Sequence, residues 1–238
     1  MSITKYIPNT FTLANLLSGC LAVLLAVNDR MEYAALFVAM GIFFDFFDGF
    51  FARKFKVSSE LGLQLDSLAD MVTSGLVPGI VMYQLLNQAG GQPWGEDTSY
   101  YMPSLGWFGL AITLASAYRL AKFNIDERQT SSFIGLPTPA NAILILSIPL
   151  IVLFEDYSFA KALFTNPYVL LAITVLSCVL LNAELPLFAL KFKNYSWGDN
   201  KHRYVFLLLC VGLLITLKFL AVPLIIISYI LISLFYKE

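Results

Sequence analysis

The sequence predicts an all-α fold: a polytopic integral membrane bundle of about eight transmembrane helices. Of its 238 residues, 58% are hydrophobic and only 13% are charged. Soluble domains carry roughly 45–50% and 25%, and an excess of this size cannot be hidden in the core of a chain this long. The apolar residues also gather into runs near the length of about 20 needed to cross a bilayer. These runs are 10–27, 33–52, 61–86, 105–123, 138–154, 167–190, 204–219 and 222–236.

The first run has some marks of a secretory leader, with Lys5 before it and Ala22 and Ala26 near its end. Asn15, Ser18 and Gly19 interrupt its centre, where a leader would be uninterrupted, so a retained first helix is expected. Residues 87–104 hold Gly90, Gly91, Pro93, Gly95, Glu96 and Asp97 but no Lys or Arg, as expected of an outer loop. Trp94, Tyr100 and Tyr101 suit the lipid–water boundary there. Residues 124–137 read as an inner loop. The stretch 204–236 would be about 50 Å long as one helix, too long for a core of about 30 Å. Lys218 lies near its middle and Pro223 fits the first turn of a new helix, so a helical hairpin is expected.

Cations test this layout. With a cytoplasmic N-terminus and eight spans, twelve of the 15 Lys and Arg fall inside: Lys5, Arg53, Lys54, Lys56, Arg119, Lys122, Arg128, Lys191, Lys193, Lys201, Arg203 and Lys237. Only Arg30, Lys161 and Lys218 fall outside, as the positive-inside rule requires, and both chain ends come out cytoplasmic. No internal repeat or linker is visible. One domain, 1–238, is expected, with a core over about 8–190 and the hairpin over about 204–236. The net charge of −1 argues against a nucleic-acid partner. Cys20, Cys178 and Cys210 lie in apolar runs without metal-like spacing and read as packing residues. His202 is the only histidine, which excludes a His pair or a His-rich metal site.

The chemistry concentrates between Asp45 and Asp70. On a helix Asp45 and Asp48 share a face that Gly49 and Ala52 continue. Asp66 and Asp70 share a face with Gly62, Ala69 and Thr73. Two helices meeting along these stripes bring four carboxylates together at the cytoplasmic edge of the apolar layer, with small residues leaving room for a ligand. An ion-pair cluster would need at least two of Arg53, Lys54 and Lys56 turned inward. Bound divalent metal explains the cluster better, since such ions take hard oxygen ligands and two of them can clamp a phosphoryl group.

The pattern Asp45-x2-Asp48-Gly49-x2-Ala52-Arg53-x8-Gly62-x3-Asp66-x3-Asp70 resembles the signature of the CDP-alcohol phosphatidyltransferases at every fixed position. The stretch Pro8-Asn9-x2-Thr12-x2-Asn15-Leu16-x2-Gly19 looks like the opening of the phosphatidylserine synthase branch. So do Arg119 to Asn124 and Phe133 to Ala140, although Lys122 stands where that branch often has Arg. The resemblance covers roughly the first 145 residues and is hydropathic only beyond them. It implies an integral membrane enzyme, usually a homodimer, that moves a phosphatidyl group from CDP-diacylglycerol to an alcohol and releases CMP. It further implies that Asp45, Asp48 and Asp66 hold one or two Mg2+ or Mn2+ ions. Asp70 would be the general base and also a metal contact.

On the same resemblance Gly49, Ala52 and Gly62 let CDP-diacylglycerol approach the backbone, Arg53 meets a phosphate, and Thr12 and Asn15 bind the cytidine or its ribose. For Thr12 and Asn15 a helix–helix hydrogen bond is the plainer reading. Arg119, Lys122 and Asn124, with Pro137 and Thr138, would read the carboxylate of L-serine; a topology signal at a helix end is the plainer role for the two cations. Asn182 and Glu184 in the inner half of the sixth run carry no assignment. A phosphorylated acceptor such as glycerol phosphate or inositol phosphate stays open, since Arg119, Lys122 and Arg128 could serve it. A cation transporter would place its polar groups nearer mid-membrane and often shows repeats. The expected location is a bacterial cytoplasmic membrane, with the active site facing the cytoplasm.

Overall fold

The computed structural model describes residues 6–57, 59–91, 104–126, 133–187 and 196–235. The expectations for the loops at 92–103 and 127–132 lie outside the described residues.

Helix α1 (Ile7–Val27) opens with Pro8 in its first turn, where the missing N–H costs nothing. It turns back through Asn28 and Asp29, whose φ is +57°, into α2 (Met31–Phe55). The ring of Phe11 stacks on Phe47 and Phe51 at centroid distances of 6.0 and 5.1 Å, fixing the register of the pair. Lys56, in the left-handed region, closes α2. Ser59 then caps α3 (Glu60–Asp70): its hydroxyl accepts from the Gly62 N–H at 3.0 Å. After Asp70 the helix widens into a π-turn, Met71–Leu76, before continuing as α4 (Val77–Ala89). The Gln84 amide reaches the C-terminal carbonyls of α1 at Ala26 and Val27, supplying donors that the helix end lacks.

A 3₁₀ turn, Leu105–Leu110, leads into α5 (Ala111–Ile125). Then follow β1 (Phe133–Ile134), α6 (Thr138–Phe154), α7 (Ser158–Phe164), α8 (Pro167–Asn182) and β2 (Pro186–Leu187). Helices α7 and α8 meet at a bend of 68°. The expected helix over 167–190 is corrected here: α8 stops at Asn182. Pro186 disfavours helix at the residue before it, and the chain instead pairs antiparallel with β1, Phe133 opposite Leu187 and Ile134 opposite Pro186. Gly135, at φ +75°, sits under the end of α8, and a Cβ there would run into the carbonyls of Leu180, Leu181 and Ala183. The Leu136 N–H takes up the Leu180 carbonyl at 2.8 Å, satisfying one of the oxygens that a helix end exposes.

The chain closes with α9 (Trp197–Leu217), a 3₁₀ turn at Lys218–Leu220, and α10 (Ala221–Phe235). Phe206 and Tyr229 have ring centroids 5.8 Å apart. One continuous helix would separate them by about 34 Å, so α10 folds back on α9.

Alanines and aliphatic residues of α1, α2, α4 and α6 form the main core, with Ala22, Ala34, Val81, Met82, Ile145 and Ile148 all at 0–1% exposure. Large apolar side chains also stand on the outer faces: Leu24, Phe46, Leu114, Val175 and Ile215 are all exposed. Such a surface matches lipid rather than water. By length and composition, Ile7–Val27, Met31–Phe55, Glu60–Ala89 and Arg203–Phe235 can each cross a membrane, as can the α7–α8 pair if it is one broken span. Among the described residues that is four or five crossings on length alone, against the eight expected; α6, at 17 residues, is apolar but shorter.

Candidate active site: carboxylates at the α2–α3 turn

The four-residue joint between α2 and α3 sets the two acidic stripes face to face. One carboxylate oxygen from each of Asp45, Asp48 and Asp66 lies within 4.8 Å of the others. Asp66 Oδ1 is buried and has no hydrogen-bond partner among the described residues. Asp48 is buried and accepts a hydrogen bond from the Thr12 hydroxyl at 2.6 Å. The ion-pair reading finds no support. Among the described residues ion pairs join Arg30 to Glu32 and Lys122 to Glu184, and none reaches the acidic cluster. Three converging carboxylates with an unpartnered buried oxygen form a donor set that fits a hard divalent cation.

Beside them opens a cavity of about 180 Å³, lined in part by Thr12, Asp48, Gly49, Ala52, Gly62 and Asp66. Gly49 and Ala52 of one stripe and Gly62 of the other thus border open space, whereas Ala69 and Thr73 are buried away from it. Arg53 is exposed at the rim, with its guanidinium against Gly49.

Two expected site residues stand beside this group rather than in it. Asn15 is fully buried, outside the cavity lining, and its amide donates to Asp70 Oδ1 at 3.1 Å. Asp70 lies outside the three-carboxylate group. The inter-helical hydrogen bond weighed for Asn15 is therefore present, and it ends on a carboxylate that was itself singled out.

The residues expected to read serine are only partly gathered. Arg119 is buried, with its guanidinium donating to the carbonyls of Leu136 at 2.6 Å and Gly135 at 3.3 Å. This ties α5 to the turn before α6. Lys122 pairs with Glu184 at 3.4 Å. Arg119 and Lys122 line a small recess with Ile134, Leu181, Asn182 and Ala183. Asn124 accepts from the Ser67 hydroxyl at 3.0 Å, which places it against α3. Thr138 is buried in the first turn of α6, and Pro137 precedes it. Asn182 and Glu184, unassigned by sequence reasoning, thus border the recess or pair with its lysine. Their intramembrane polarity was the signal that could have enlisted them.

Fold and site together define a helical membrane protein with a metal-competent acidic pocket at one end. The chain belongs to the CDP-alcohol phosphatidyltransferase family, whose pattern matches residues 5–180. It is 36% identical over 136 residues to the CDP-diacylglycerol–serine O-phosphatidyltransferase of Bacillus subtilis (strain 168), covering 57% of this chain and 70% of that protein. It is 28% identical over 201 residues to the enzyme of the same name from Helicobacter pylori (strain 26695), covering 80% and 74%. The archaetidylserine synthase of Methanothermobacter thermautotrophicus is 28% identical over 178 residues, covering 73% and 68%.

Proposed function

We propose that this protein is a phosphatidylserine synthase, transferring the phosphatidyl group of CDP-diacylglycerol to the hydroxyl of L-serine with release of CMP. The observation that carries this reading is the meeting of Asp45, Asp48 and Asp66 beside a cavity walled by small residues and Thr12. Those three carboxylates would hold one or two Mg2+ or Mn2+ ions. A divalent ion so held supplies charge neutralisation on the diphosphate and on the departing CMP.

Thr12, Gly49, Ala52 and Gly62 would seat the nucleotide end, and Arg53 at the rim would meet a phosphate. Asp70 would take the proton of the serine hydroxyl. The serine oxygen then bonds to the phosphatidyl phosphorus as the bond to the CMP oxygen breaks, with that electron pair leaving on CMP. Arg119, Lys122 and Asn124, with the Pro137–Thr138 turn, would read the serine carboxylate. Relatives named for serine transfer across 80% of the chain support this acceptor over a phosphorylated alcohol. Purified protein given CDP-diacylglycerol and a panel of alcohols should release CMP fastest with L-serine. Equal or faster release with glycerol phosphate would overturn the acceptor while leaving the family intact.

The arrangement in the membrane belongs to the same proposal. The chain would cross eight times as a homodimer in a bacterial cytoplasmic membrane, with both ends and the acidic pocket in the cytoplasm. Membrane-impermeant maleimide applied from outside should label Gly95→Cys and spare Ser196→Cys. The opposite pattern would put the pocket on the wrong side for cytosolic serine.

A further inference from the structure

The Thr73 side chain has no part in the chemistry above, yet it is fully buried in the π-turn three residues beyond Asp70. Its hydroxyl donates to the main-chain oxygen of Asn15 at 3.1 Å. The Asn15 amide in turn donates to Asp70 Oδ1 at 3.1 Å. Two glycines make room for this. A Cβ on Gly19 of α1 would strike the Thr73 hydroxyl and main chain, and one on Gly41 of α2 would strike the Thr73 methyl and Asn15 Oδ1. Thr73 is therefore wedged between α1 and α2, with its hydroxyl on one helix and its methyl on the other.

Asn15 Oδ1, packed against Gly41, has no hydrogen-bond donor among the described residues. No bond to that oxygen fixes the amide. Its direction depends on the Gly41 contact and on the Asn15 backbone that Thr73 grips. The Asn15 bond holds Oδ1 of Asp70 and limits how the carboxylate can turn.

We propose that Thr73 and Asn15 are positioning residues: Thr73 fixes Asn15, and Asn15 orients the Asp70 carboxylate for proton abstraction. This rests on the reading of Asp70 as the base. Partners that act by orienting a functional side chain typically contribute about 10–100-fold in activity.

The test is steady-state kinetics on purified protein with CDP-diacylglycerol, L-serine and a Mn2+ titration. Thr73→Val keeps the shape and removes the hydroxyl; it should lower kcat about tenfold with KM for CDP-diacylglycerol and the Mn2+ half-activation unchanged. Thr73→Ser keeps the hydroxyl and should hold kcat near wild type, although it leaves a methyl-sized gap between the glycines. Asn15→Ala should lower kcat at least as far as Thr73→Val. Adding Thr73→Val to Asn15→Ala should cost nothing more, because linked residues do not add. Equal damage from Thr73→Ser and Thr73→Val, additive losses, or an unchanged kcat in Thr73→Val would each overturn the proposal. Should Thr73→Val not be recovered folded, Asn15→Ser decides, with a lowered kcat at unchanged KM expected and an unchanged kcat overturning. Asp70→Asn separates the two levels. If it retains turnover, the base assignment itself fails. If it is inactive while Thr73→Val and Asn15→Ala match wild type, only the positioning role fails.

Discussion

Asp70→Asn is expected to bind CDP-diacylglycerol and metal nearly as wild type does, yet to lose turnover by about 10²–10⁴-fold, the usual worth of a general base. Asp66→Asn is expected to fail differently. Its oxygen belongs to the group that lies within 4.8 Å of Asp45 and Asp48, and Asp70 is outside that group. Removing a ligand should weaken metal binding and raise the Mn2+ needed for activity, so that excess Mn2+ restores part of the rate. Chelation should silence the wild type and both variants alike. The measurement is metal affinity, substrate affinity and rate for each protein side by side. Loss of metal binding in Asp70→Asn as severe as in Asp66→Asn would make Asp70 chiefly a ligand and send the search for the base to Asp66 or to metal-bound hydroxide.

Gly19→Ala should be nearly as damaging, although it adds one methyl outside the cavity lining. The added carbon would meet the backbone nitrogen and Cα of Thr73 at 3.0 Å as well as its hydroxyl. Backbone cannot rotate away as a side chain can, so α1 must shift from the π-turn. Overpacking of this kind costs about 1–3 kcal/mol, and the shift would also carry Thr12 and Asn15 off Asp48 and Asp70. A lowered melting temperature together with at least a tenfold loss of rate is expected, in line with disturbed support of a site. Gly212→Ala is the matched comparison, since among the described residues nothing lies within 4 Å of a Cβ there, and it should change neither. Wild-type stability in Gly19→Ala would show that α1 is not seated as described.

Sequence spacing placed Asp45, Asp48 and Asp66 correctly because helical periodicity fixes which side chains share a face, and a four-residue joint leaves few ways to set two faces together. Gly49, Ala52 and Gly62 bordering the cavity followed from the same periodicity. The Asn15–Asp70 bond was not legible. Its partners are 55 positions apart, and the register of α1 against α3 is decided by how Thr73 fits over Gly19 and Gly41. Nothing in residues 71–76 announces a π-turn either, since Met-Val-Thr-Ser-Gly-Leu is ordinary helical sequence for a membrane. The early end of α8 was signalled by Pro186, but its pairing partner, β1, lies more than 50 residues upstream.

The donors described on Asp48 and Asp70, Thr12 and Asn15, and the wedge that holds one of them, Thr73, all precede residue 74. The three metal-competent carboxylates lie on a single hairpin, so bringing them together closes only a short loop, at small entropic cost. Residues 12–73 therefore carry the three metal-competent carboxylates together with Thr12, Asn15 and Thr73. The later two thirds of the chain carry the recess around Arg119 and Lys122. On the proposed roles, a change of acceptor alcohol would call for changes around that later recess, with the carboxylate hairpin left as it is.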